Sequence, residues 1–212
     1  MRSPCSLVAI VFLMAVADVS AQSTTKTNDT ASQPKSASCG PIVSDVLKCP
    51  RFGFTFKVPF GWVDRTDEMQ QEPETQQQSL PAGKSQTLLA IFERPPGAPG
   101  DTINSAVAIA AESLADYHAV KQASDYFGPI AELAQQRGFK VENEPYTFSI
   151  GTKQLVRGDF SKARGKLTMW QSSLVMIEKG YIVSFTFVGG SEDEVEELIA
   201  KLSFATKAQP HK

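Results

Sequence analysis

From Phe139 to Gly190 the chain is a series of apolar, strand-like segments joined by links too short for anything but antiparallel neighbours. The segments are Phe139 to Glu144, Tyr146 to Ile150, Lys153 to Phe160, Leu167 to Ile177 and Tyr181 to Val188. Pro145, Gly151, Ser161 to Gly165 and Lys179-Gly180 separate them, and Gly189-Gly190 closes the series. A parallel return needs a crossover of about a dozen residues or more, and none of these links is long enough. The spacing therefore predicts an antiparallel meander. In Leu167 to Ile177 neither parity is polar throughout, so this strand is expected to be covered on both sides. Trp170 is then core if it points inward, and an exposed anchor of the kind enriched at interfaces if it points outward.

A separate strand opens the folded region. Phe52, Phe54, Phe56 and Val58 alternate with Gly53, Thr55 and Lys57, which puts an aromatic row on one face. Pro59 has no N–H to donate and ends the run, and Gly61 permits the turn that returns Trp62 to the body of the protein. Trp62 reads as a plug for the end of the core, with ligand stacking as the alternative. Asp64 to Gln86 is rich in Glu, Gln, Pro and Gly and carries no usable period, the mark of a long excursion. Thr87 to Glu93 is a second strand, halted by Arg94-Pro95-Pro96-Gly97.

From Asp101 the pattern fits a helix, capped by Asp101 or Thr102, with Ile103, Val107, Ala110, Ala111, Leu114 and Tyr117 on one broad face and His118 at its end. Pro129 and Gly138 bracket a further helix over PIAELAQQR. At the C-terminal side Ser191 and Glu194 form a capping box, acidic residues fill the first turn, and Val195, Leu198, Ile199 and Leu202 make the buried stripe of another helix. Helices on an antiparallel sheet define an α+β fold.

The ends are of a different character. Arg2, the apolar run Leu7 to Ala17 and the small residues Val19-Ser20-Ala21 are expected to form a signal peptide over residues 1–21, cleaved before Gln22. An uncleaved anchor is the competing reading. Residues 22–38 hold almost nothing that could be buried and read as a flexible leader containing the sequon Asn28-Asp29-Thr30, while residues 205–212 form a tail. Signal removal discards Cys5. Cys39 and Cys49, ten residues apart in an exported chain, are most simply a disulfide closing the 39–51 segment as an N-terminal loop. Metal ligation by the pair would have to enlist His118 and His211, which stand at no recognisable spacing.

Chemistry is sparse. The chain lacks G-x-S-x-G, H-E-x-x-H, a glycine-rich phosphate loop and a P-loop lysine, and no cofactor is expected. A formal charge of -2 with 21% charged residues gives no reason to expect nucleic acid or an anionic membrane. One local asymmetry remains: Lys153, Arg157, Lys162, Arg164 and Lys166 meet only Asp159, and the turn SKARGK presents Lys162, Arg164 and Lys166 at a hairpin tip. Such a tip can dock an acidic partner or a phosphate-rich surface, or can be a solvated turn whose lysines guard strand edges.

FTFKVPFGW at the start, TKQLVRGDF and LTMWQSSLVMIEKGYIVSFTFVGG in the meander and SEDEVEELIAKLSF at the end together resemble the PsbP-like superfamily, over about Phe52 to Phe204. The resemblance implies an αβα sandwich around a central antiparallel sheet, residues 52–204, that usually acts by binding another protein. Roles across that superfamily range from extrinsic photosystem subunits to nuclear transport factors and envelope-associated chaperone-like proteins. Its motifs build the scaffold, so no functional residue carries over. The resulting expectation is an exported, non-catalytic protein-binding or assembly module, periplasmic or extracellular. The alternative is a small-ligand binder or enzyme with a cleft under the 64–86 excursion, lined by Trp62, Tyr126 or Tyr181.

Overall fold

The computed structural model describes residues 37–71 and 85–205. The expected signal peptide, almost all of the leader, most of the excursion, all of the tail but Ala205, the sequon and His211 lie outside the described residues.

Two antiparallel sheets are built from strands β1 (Ile42–Val43), β2 (Val46–Cys49), β3 (Phe54–Lys57), β4 (Val63–Asp64), β5 (Gln86–Phe92), β6 (Ala106–Ser113), β7 (Lys140–Val141), β8 (Tyr146–Ile150), β9 (Lys153–Arg164), β10 (Leu167–Glu178), β11 (Tyr181–Gly189) and β12 (Leu202–Phe204). The small sheet has the order β1-β2-β3-β12, and the large one β4-β5-β6-β11-β10-β9-β7, with β8 also paired to β9. Among the described residues three α-helices accompany them: α1 (Thr66–Gln71), α2 (Phe127–Gln136) and α3 (Glu192–Ile199).

The meander forms as its links require. The turn between β10 and β11 is the pair Lys179-Gly180, both in the left-handed region, and Glu178 faces Tyr181 across it. Alternation then sorts the side chains. Leu174, Met176, Val183, Phe185 and Phe187 enter the main core, whereas Val175 and Ile182 point to the other face. On the main-core face, Phe54 of the small sheet packs edge-on against Phe185 at 5.1 Å, and Val195, Leu198 and Ile199 of α3 join the same cluster. On the other face, Tyr117, Val120, Tyr126 and Phe127 cover Val175 and Ile182.

The helix expected from Asp101 is not there: β6, Ala106–Ser113, is a strand between β5 and β11. Alanine suits a 3.6-residue period as well as a two-residue one, so Ala110 and Ala111 filled out an apparent helical face. Packing decides instead, with Val107, Ile109 and Ala111 buried on the main-core side at period two. The disulfide segment is likewise not a pendant loop. β1 and β2 form a hairpin that pairs with β3, and Leu47 and Cys49 are core residues. Leu202, expected in the last helical stripe, lies in β12 after α3 has ended. Half of the expected capping box of α3 forms, the Ser191 hydroxyl accepting from the Glu194 amide at 3.1 Å, while the Glu194 carboxylate accepts from the Gly190 amide and the Ser105 hydroxyl rather than from the Ser191 amide.

Candidate functional site

β9 and β10 outrun their neighbours. β11 ends at Gly189, opposite Trp170, and β7 reaches no further along β9 than Ser161. Lys162 to Arg164 and Leu167 to Met169 therefore continue as a two-stranded arm, closed by Gly165 (φ 65°) and Lys166. Every residue from Ala163 to Thr168 is exposed, and Leu167 keeps 39% of its surface in solvent. Arg164 pairs with Leu167 across the arm, so guanidinium and isobutyl group share one face.

The three cations proposed for this tip divide. The Lys162 ammonium donates to the Arg137 carbonyl and lies 5.6 Å over the Phe139 ring. It caps the C-terminus of α2, whose own last turn carries no basic residue, and so ties the arm to the body. Arg164 and Lys166 are left as the outward pair.

The root of the arm is a polar network, buried at Arg157 and Ser172 and reaching solvent at Asn143 and Tyr146. Asp159 accepts from Arg157 Nε at 2.8 Å, Asn143 Nδ2 at 2.9 Å, the Tyr146 hydroxyl at 3.0 Å and the Ser172 hydroxyl. Burial alone would raise its pKa, but the bonds from Ser172, Asn143 and Arg157 outweigh it and hold the carboxyl below its usual range. Arg157 also donates to Ser172 Oγ at 3.0 Å, pairs with half-exposed Glu196 of α3, and stands 5.0 Å over the Phe148 ring. Burial opposes its charge, yet its bonds to Glu196 and Asp159 raise its pKa on balance. The Tyr146 hydroxyl is pushed up to about 12, chiefly by burial. A carboxylate with four donors is a clamp, because a proton could reach it only by displacing them. Beside the clamp lies a cavity of about 160 Å³ lined in part by Trp170, Glu142 and Glu192. Trp170 is half-buried against the main core.

The opposite face carries a groove of about 530 Å³ between α2 and β9, lined by Phe127, Ala131, Val141, Pro145 and Phe160 with Gly158 as its floor. On the same face Glu112 of β6 is buried, accepting from the Tyr117 hydroxyl. Burial raises the pKa of Glu112 against hydrogen bonds from Tyr126 and Ser85, and the charge of Asp116 adds to the rise.

Trp62, Tyr126 and Tyr181 do not line a common cleft. Trp62 and Tyr181 pack on the main core, Trp62 through the turn at Gly61 (φ 80°), and Tyr126 lies on the other face of the sheet. Cys39 and Cys49 are disulfide-bonded. His118 is exposed, and among the described residues no group of three or more His, Cys, Asp or Glu side chains is placed to hold a metal. No helix among the described residues is long and apolar enough to cross a membrane. Two features escaped the sequence reading. Phe60 is in phase with Phe56 and Val58 and so looks like core, yet the Pro59 turn leaves it 95% exposed. Glu112 is not on the apolar face expected of a helix from Asp101, and nothing in its neighbours marks it for burial.

No family model matches the chain, and no curated protein matches it. Solved structures similar to it include CyanoP, Mog1p and LpqN. The cyanobacterial PsbP (CyanoP) of Synechocystis sp. PCC 6803 is 12% identical, with a TM-score of 0.45, over 79% of this chain and 97% of that one. The Ran-binding protein Mog1p of Saccharomyces cerevisiae is 12% identical, with a TM-score of 0.41, over 72% and 90%. LpqN of Mycobacterium tuberculosis, involved in cell envelope biogenesis, is 13% identical, with a TM-score of 0.40, over 72% and 83%.

Proposed function

We propose that the chain is an exported, non-catalytic binding or assembly module, periplasmic or extracellular, that engages a protein partner through the β9–β10 arm. The observation that carries this reading is the arm itself: a hairpin that leaves the sheet, is fixed at its root, and exposes Leu167 between Arg164 and Lys166. Rigid presentation matters because a preformed contact loses less entropy on binding. The two cations favour an acidic partner surface and act mainly on the rate of encounter. The disulfide belongs to oxidising compartments and supports export, as does the signal-like start of the sequence. The saturated Asp159 network supports a role in holding shape rather than in proton transfer.

The test is retention of partners from native envelope and culture fluid by the exported protein and by the double variant Arg164→Ala/Lys166→Ala. Both residues are exposed, so the variant is expected to fold as wild type does. Loss of a specifically retained protein in the variant, with retention by wild type falling as salt rises, is the expected result. Retention by both proteins alike would remove the arm from the account.

The groove beneath α2 favours a second reading, a small-ligand binder. Its volume falls within the roughly 300–1,000 Å³ of ligand pockets, and Phe127 and Phe160 give it an apolar lining. A ligand seated there would raise the unfolding temperature of the protein, and Ala131→Trp, which fills the groove, would abolish that rise.

A further inference from the structure

We propose that the open edge of β10 at Thr168 takes a strand from the partner: an extended acidic segment whose backbone pairs with Thr168 while its carboxylates meet Arg164 and Lys166. This rests on the reading of the arm as the partner-binding surface and specifies how that surface is used.

The direction of the Thr168 backbone follows from the two hairpins that β10 shares. In a two-residue hairpin the closing residues exchange both hydrogen bonds, and the exchange then recurs at every second position. Arg164 and Leu167 close one hairpin, so Leu167 and Met169 direct their amide and carbonyl groups to β9. Glu178 and Tyr181 close the other, so even-numbered residues of β10 direct theirs to the β11 side. Both hairpins thus assign Thr168 to the β11 side. β11 has ended by then, since Gly189 pairs with Trp170 and no strand pairs with Thr168 on that side among the described residues. Thr168 is exposed, so neither α3 nor the small sheet closes over it.

An open edge of this kind is a template for another chain, and sheet addition is a recurrent mode of peptide recognition. Charge selects the occupant. Between Ser161 and Trp170 the ionisable side chains are Lys162, Arg164 and Lys166, with no carboxylate among them. Lys162 is committed to α2, and the other two face solvent. Residues of an added strand that flank its Thr168 partner fall on the face of Leu167, Met169 and Arg164. An alternation of apolar and acidic residues satisfies both that face and the tip.

The probe is a capped octapeptide of alternating valine and glutamate, added at low salt to the nitrogen-15-labelled full chain, with amide exchange read residue by residue. Without peptide, the Thr168 amide is expected to exchange rapidly while Leu167 and Met169 are protected. With peptide, Thr168 exchange is expected to slow by about tenfold or more, and the slowing to vanish in Arg164→Ala/Lys166→Ala. Peptide binding that needs the two cations but leaves Thr168 exchange unchanged overturns strand addition and leaves the arm as an acid-binding surface. Binding indifferent to the double variant overturns both. Absence of peptide binding, with anionic phosphatidylglycerol vesicles bound through the same two residues, overturns the proposal and assigns the arm to a membrane surface.

Discussion

Glu112 and Asp159 are carboxyl groups of one sheet with opposite responses to pH. Glu112 is buried among hydroxyl groups, and burial lifts its folded value above the ordinary 4.5. Its contribution to stability is therefore complete below 4.5 and is lost as pH rises through the folded value. Asp159 is held below the ordinary 3.8, so its contribution is complete above 3.8 and is lost as pH falls through the folded value. Replacing Glu112 by Gln deletes the first dependence while keeping the side chain's size. The stability of Glu112→Gln relative to wild type, from urea midpoints, should rise between about pH 4 and about pH 8. A difference that stays constant or falls with pH would contradict the placement of Glu112 under Tyr117 and Tyr126. This residue also shows what sequence alone could not supply. Its neighbours in sequence fit a helix, and its burial depends on Tyr126, fourteen positions away, folding back over it.

Among the elements, α2 and β9 meet at a contact that needs glycine for space rather than for conformation. A Cβ on Gly158 would stand 2.7 Å from the Phe127 ring. Gly158→Ala should cost about 1–3 kcal/mol of stability by overpacking, and Phe127→Leu in the same chain should recover part of it. If the alanine variant unfolds at the wild-type urea concentration, α2 does not pack as described. The strands of the meander were legible because glycine and proline punctuate a two-residue alternation, and β8 lies where that pattern put it. β1, β4 and β12 went unread because two or three residues are too few to show a period, and β2, four residues long, went unread because it ends in the cysteine taken to close a loop. β6 was misread for a different reason, its alanines being neutral between the two periods. The arm was half legible. Its basic turn is plain in SKARGK, but its projection depends on where β7 and β11 stop, and the commitment of Lys162 depends on where α2 ends.

At the scale of the molecule, the Cys39–Cys49 bond closes the first hairpin of the small sheet, and that sheet supplies Phe54 and Phe56 to the main core. Breaking the bond therefore reaches beyond a local loop. Chain entropy for a loop of this length assigns it about 3 kcal/mol, and Cys39→Ser/Cys49→Ser should lower the urea midpoint accordingly. No change would mean that the small sheet holds without it. Among the described residues the large apolar side chains that meet solvent include Leu167 on the arm, Tyr146 by its root, and Phe60 at the end of the small sheet, where Val58 bonds to Asp45. The arm is the proposed site for the partner, since cations flank the exposed leucine there and the root is clamped by Arg157 and Asp159. The most direct test places a photo-crosslinking amino acid at Leu167 in one protein and at Phe60 in another, each expressed in the native host. A discrete crosslinked protein from position 167 that is absent from position 60 is the predicted result, and a crosslinked partner from position 60 with none from 167 would contradict it.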